Sequence, residues 1–193
     1  DRVREAIAAG VDLCGENRVQ ELTAKQKENA YEGTPIHFIG HLQTNKVKQV
    51  VGKVDLIQSV DSQRLLEAIQ KEAAKQGIVQ AILLEVNIGG EESKSGIAPE
   101  ELPALLDTAS RCENVRILGL MAVPPVNTDE QINRSYFAAM KRLFDECASR
   151  RGPRLEMRWL SMGMSGDFEN AILEGANLVR VGTSIFGVRD CTK

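Results

Sequence analysis

The strongest constraint on this chain is an alternation. Short apolar runs rich in Val, Ile and Leu are each followed by a stretch with helical periodicity. Seven such runs occur, at 11–17, 36–41, 54–60, 81–88, 116–123, 157–163 and 177–182. Most are too short for helices. Runs that are apolar throughout suit strands covered on both faces, as in parallel sheets. The stretches between them are amphipathic. Residues 61–77 set Leu65, Leu66, Ile69 and Ala73 on one stripe, start at an Asp/Ser cap and stop at Gly77. Residues 98–114 carry Leu102, Leu105, Leu106 and Ala109 at i, i+3, i+4 and i+7, with Pro99 in the first turn. A third helical stretch opens with Thr128 and Gln131 at capping-box spacing and buries Phe137, Met140, Phe144 and Cys147. A fourth starts at Ser165 and Asp167 and ends at Gly175, and a leading one places Val3, Ala6 and Ile7 on one face before Gly10.

Strand–helix alternation implies an α/β fold with a parallel sheet, either a doubly wound open sheet or a barrel. Two features favour the barrel. Nearly every run ends in polar or small residues, and barrels build their sites from the C-terminal ends of many strands. The GxGxxG fingerprint of dinucleotide-binding open sheets is also absent. The expected fold is therefore a TIM (β/α)8-type barrel with seven recognisable strands. Its first strand is missing, and a helix leads the chain instead. Residues 1–193 are read as a single, N-terminally incomplete domain.

Composition narrows the function. A net charge of −3 with no dense basic run argues against nucleic-acid binding, and aromatics at 4% leave little for base stacking. No apolar stretch approaches the roughly 20 residues of a membrane span, and no signal peptide is visible. Cys14, Cys112, Cys147 and Cys191 are dispersed and show no metal-type spacing with His37 and His41. They read as reduced thiols of a cytoplasmic protein, and no metal site is expected.

The last two runs end in nearly the same chemistry, "SMGMSG" at 161–166 and "RVGTS" at 180–184. Two such loops side by side could hold one anion. In many barrels a phosphate sits between the last two strand–helix loops, capped by a short extra helix, and "TSIFG" at 183–187 suits that role. From the residues alone the alternative stays open that Gly and Ser simply serve tight turns. Other polar strand ends are Glu16–Asn17 and His41 with Gln43, Thr44 and Lys46. Residues 87–96 form a polar loop with Lys94, long enough to act as a lid.

Six blocks, "GENRVQE", "HFIGHLQTNK", "LLEVNIGGEESKSGI", "GLMAVPP", "LSMGMSGDFENAI" and "VRVGTSIFG", together resemble the pyridoxal phosphate homeostasis protein family. That family's fold is similar to the N-terminal barrel of alanine racemase. The resemblance runs from about Asp1 to Arg189. It implies a role in intracellular vitamin B6 homeostasis, binding pyridoxal 5′-phosphate without an established turnover. It further implies that Gly182 and Thr183, with Ser161 or Ser165 and the Gly163 turn, hold the phosphate. Arg180 would sit near the pyridine ring, and Asn17, His41 and Met121 would line the pocket.

At one place the chain departs from that pattern. Members carry a Schiff-base lysine in a stretch resembling "AVSKT", and no such stretch occurs in these residues. Lys46 and Lys94 are read as exposed loop lysines, not replacements. The expectation is thus non-covalent binding of the cofactor or of a phosphate-like anion, with no catalysis. A racemase-like enzyme and a non-binding barrel fragment remain alternatives. A strand missing from a barrel leaves unpaired edges, so association of copies through them is also expected.

Overall fold

A computed structural model describes residues 2–91, 94–125, 127–150 and 152–187. Asp1, Arg189 and Cys191 lie outside the described residues. All seven runs form strands: β1 Cys14–Glu16, β2 Ile36–Phe38, β3 Leu56–Val60, β4 Gln80–Glu85, β5 Val115–Met121, β6 Leu155–Met164 and β7 Leu178–Arg180. They lie in one sheet in chain order, and every neighbouring pair is parallel. The helices are α1 Arg2–Ala8, α2 Val19–Lys27, α3 Gln63–Gln76, α4 Leu102–Ser110, α5 Glu130–Ala148, α6 Phe168–Leu173 and α7 Thr183–Phe186.

Local chemistry accounts for the helix ends. The Ser62 hydroxyl accepts from Leu65 N at the start of α3, and Gly77 ends that helix in the left-handed conformation at φ 67°. Three expectations are corrected. The cap of α5 is Asp129, whose carboxylate accepts from Gln131 N and Ile132 N, because it stands one residue nearer the first turn than Thr128. The stretch after β2 is a six-residue 3-10 helix, Thr44–Gln49, and not an α-helix. Residues 161–164 belong to β6, so only 165–167 form the loop before α6.

The strands alternate between two apolar layers. Ile57, Ile82, Leu84, Ile117 and Leu160 face outward and pack with Leu66, Ile69, Leu105, Phe137 and Met140 from the helices. Leu56, Leu83 and Met121, with Ala81, Leu118, Val123 and Trp159, form a second cluster on the opposite face. That second face is the inside of a curled sheet. Gln58 on β3 and Ser161 on β6 meet at 2.6 Å although two strands separate them in the ladder. A flat sheet would hold them about 14 Å apart. The sheet is therefore a nearly closed barrel of seven strands. Among the described residues no ladder joins β7 to β1. At that side α1 meets α7, where the Arg2 guanidinium lies 5.7 Å from the Phe186 ring centre.

Candidate functional site

The inward positions of five strands or strand ends carry one chain of hydrogen bonds. Arg180 on β7 donates from Nη1 to the Ser161 hydroxyl at 2.5 Å and from Nη2 to the Ala122 carbonyl, just past β5, at 2.8 Å. The Ser161 hydroxyl donates to Gln58 Oε1 on β3. The Gln58 amide nitrogen lies 2.9 Å from His37 Nδ1 on β2. The amide nitrogen of Gln58 can only donate. His37 Nδ1 must then accept, which leaves the ring neutral with its proton on Nε2. Burial pulls the His37 pKa down to about 4, which favours the same neutral form. Burial also pulls the Arg180 guanidinium down to about 10, opposed by the carboxylates of Glu85 and Asp167. It remains protonated at neutral pH and is fixed in direction by Ser161 and Ala122.

Above this network stand the two loops of similar composition. The Ser165 hydroxyl oxygen accepts from Gly182 N at 3.0 Å and from Ser184 N at 3.3 Å. The loop after β6 and the loop after β7 are thus in direct contact. Two backbone amides converge on one oxygen position, with Arg180 two residues before Gly182. A Cβ built on Gly182 would meet nothing within 4 Å, so open space faces it. Gly163 is different. Its φ is 90°, and a Cβ there would meet Ala171 Cβ at 2.6 Å, so this glycine lets α6 pack against β6.

The other sequence-derived residues fall in three places. Ser161 is fully buried inside β6 and engaged by Arg180 and Gln58, away from the 165–167 loop. Met121 is buried beneath the network, paired in register with Ser161 and Glu85. Asn17 is exposed just past β1. His41 stands on the rim, its side chain 59% exposed, with Nδ1 3.1 Å from Asp61 Oδ2 and 3.4 Å from Ser95 Oγ. The Ser95 contact brings the loop after β4 across to the end of β2. Glu16 is corrected. It points away from the barrel mouth into the helix layer, where Lys25 Nζ at 2.5 Å and the Tyr31 hydroxyl at 2.9 Å both donate to its Oε1. Lys46 and Lys94 lie outside the sheet, and none of the seven strands contains lysine.

Sequence reasoning missed His37, Gln58 and Glu85 as inward polar groups. Their signal was a polar residue inside an otherwise apolar run. Glu85, at the end of β4, shares the inner face with Ala81 and Leu83 and is only 6% exposed. Burial and the Asp61 carboxylate push its pKa up to about 7, against the pull of Arg180.

Comparison with known proteins fixes the family. Residues 1–190 match the family described as alanine racemase, N-terminal domain. The pyridoxal phosphate homeostasis protein of Aquifex aeolicus is 47% identical over 187 residues, covering 97% of this chain and 81% of that protein. The chain belongs to the pyridoxal phosphate homeostasis protein family. The Pseudomonas aeruginosa member is 39% identical over 97% of this chain and 79% of its own length. Among solved family structures, PipY of Synechococcus elongatus without PLP superposes with a TM-score of 0.89 at 38% identity, over 96% of this chain and 86% of PipY. PipY with PLP bound superposes with a TM-score of 0.86 over the same shares. An alanine racemase of Clostridium difficile, at 15% identity and a TM-score of 0.74, shares the barrel alone, over 98% of this chain and 48% of its own.

Proposed function

We propose that this chain binds pyridoxal 5′-phosphate at the C-terminal end of its barrel and serves intracellular vitamin B6 homeostasis, without turning over a substrate. The observation that carries the reading is the convergence of the Gly182 and Ser184 amides on one oxygen beside Arg180. The Ser165 hydroxyl oxygen stands where a phosphate oxygen would be received, and the Thr183 hydroxyl adds a donor. PipY, which binds PLP, supports it.

Bound cofactor would supply an aldehyde and an electron-poor ring. This chain's own residues would bind and orient it. Arg180, protonated and held by Ser161 and Ala122, would face the ring nitrogen and keep it unprotonated. That weakens the ring as an electron sink and suits a holder better than a catalyst. A covalent hold would need a lysine that none of the seven strands supplies. Racemisation would need a second positioned acid–base group, often a tyrosine. The Tyr31 hydroxyl is engaged by Glu16 in the helix layer, and Tyr136 lies on α5. For the described residues, no helix is long and apolar enough to cross a membrane. Ile185 on α7, 49% exposed, supports self-association on that face.

The test is a titration of the chain with pyridoxal 5′-phosphate followed by absorbance, beside an alanine racemisation assay. Saturable binding that dialysis reverses, without racemisation, is expected. An empty site at millimolar cofactor would overturn the reading.

A further inference from the structure

Glu85 is the one inward carboxyl that the hydrogen-bond chain does not use. Its side chain is 6% exposed, yet no described residue donates a hydrogen bond to it or pairs with it as an ion. Every other buried polar side chain on the inner face is matched. His37 meets Gln58, Gln58 meets Ser161, and Ser161 meets Arg180. The Arg180 guanidinium spends two donors on Ser161 and Ala122 and forms no ion pair with Glu85. The other charged group acting on Glu85 is the Asp61 carboxylate, which repels it and is itself beside His41.

Among the described residues no buried side-chain oxygen lacks a hydrogen-bond partner, so the Glu85 carboxyl reaches solvent at the mouth, where a ligand that brings a cationic donor can pair with it. The carboxyl faces the inside of the barrel at the end of β4, in register with Met121, whose other neighbour is Ser161. It stands two strands from Ser161, to which the Arg180 guanidinium donates. An occupant with a phosphate at those loops and a ring against Arg180 turns its remaining substituents toward other walls. Glu85 offers one of these walls a negative charge.

Resting on the pocket reading above, we propose that Glu85 receives a cationic amine of the ligand. The pocket then takes amine-bearing vitamin B6 phosphates in preference to their neutral counterparts. Pyridoxamine 5′-phosphate and pyridoxine 5′-phosphate share ring and phosphate and differ in one group, an ammonium against a hydroxyl.

The experiment is calorimetric titration at pH 8 of the chain and of Glu85→Gln with pyridoxamine, pyridoxine and pyridoxal 5′-phosphates. The chain is expected to bind the amine roughly tenfold or more tightly than the alcohol. In Glu85→Gln that ratio falls to near one, while affinity for the alcohol is kept. Equal binding of amine and alcohol by the unaltered chain overturns the proposal without any variant, and so does a ratio that survives Glu85→Gln. If pyridoxal 5′-phosphate binds while the amine shows no advantage, only this inference fails. If none of the three binds, the pocket reading fails with it.

Discussion

Gln58 and Ser161 meet at 2.6 Å across the inside of the barrel, from strands with two others between them in the ladder. That contact joins the two halves of the sheet and fixes where Arg180 points. Removing Gln58 leaves the Ser161 hydroxyl and His37 Nδ1 buried without their partner. Gln58→Leu is expected to cost about 1–3 kcal/mol in denaturant unfolding. It is also expected to weaken cofactor binding, because Arg180 loses a braced partner. A midpoint and an affinity both unchanged would show that the chain of bonds holds nothing in place.

Glycines on neighbouring strand ends are expected to behave in opposite ways. Gly163→Ala puts a methyl against Ala171 and Phe168 at a φ of 90°, and about 1–3 kcal/mol of stability is expected to be lost. Gly182→Ala meets no protein atom and has an ordinary φ of −117°, so stability is kept. The added methyl enters the space assigned to phosphate, and cofactor affinity falls. Thermal unfolding and a binding titration on the same two variants separate these outcomes.

The two shifted groups inside the barrel pull stability in opposite directions with pH. Glu85 holds its proton up to about pH 7 in the fold, against a usual value of 4.5. Its raised pKa favours the fold fully below about 4.5, and that contribution is lost as pH rises to about 7. The loss is on the order of 3 kcal/mol. Glu85→Gln should therefore gain on the parent chain at pH 8 and not at pH 4.

His37 acts with the other sign. Its pKa is held at about 4 in the fold, while an exposed imidazole protonates near 6.5. Its contribution is whole above about 6.5 and is lost as pH falls to about 4. Nitrogen NMR should find His37 neutral at pH 7 with the proton on Nε2. Protonated Nδ1 would contradict the Gln58–His37 bond.

Much of the barrel was legible from the alternation of runs, because parallel strands buried on both faces are apolar along their whole length. The same property hid the interior. When both faces are apolar, nothing in residues 54–60 says whether Gln58 or its neighbours turn inward. Gln58, the one that bonds across the barrel, was therefore not visible as an inward group. Glu16 read as a mouth residue because it ends a run, yet one step of alternation sends it out to Lys25 and Tyr31. The pair of loops at 165 and 182–184 was readable because small polar residues recur after consecutive strands. Ser161 was placed in its loop because β6 extends to Met164, three residues beyond that serine.

The most direct test is an amide-resolved NMR titration of the labelled chain with pyridoxal 5′-phosphate. Binding at the mouth predicts that the amide signals of Gly182, Thr183 and Ser184 shift first and furthest and saturate together with the Arg180 side chain. Shifts confined to the opposite end of the barrel, around Gly52 and Gln80, or no shifts at millimolar cofactor, would contradict it.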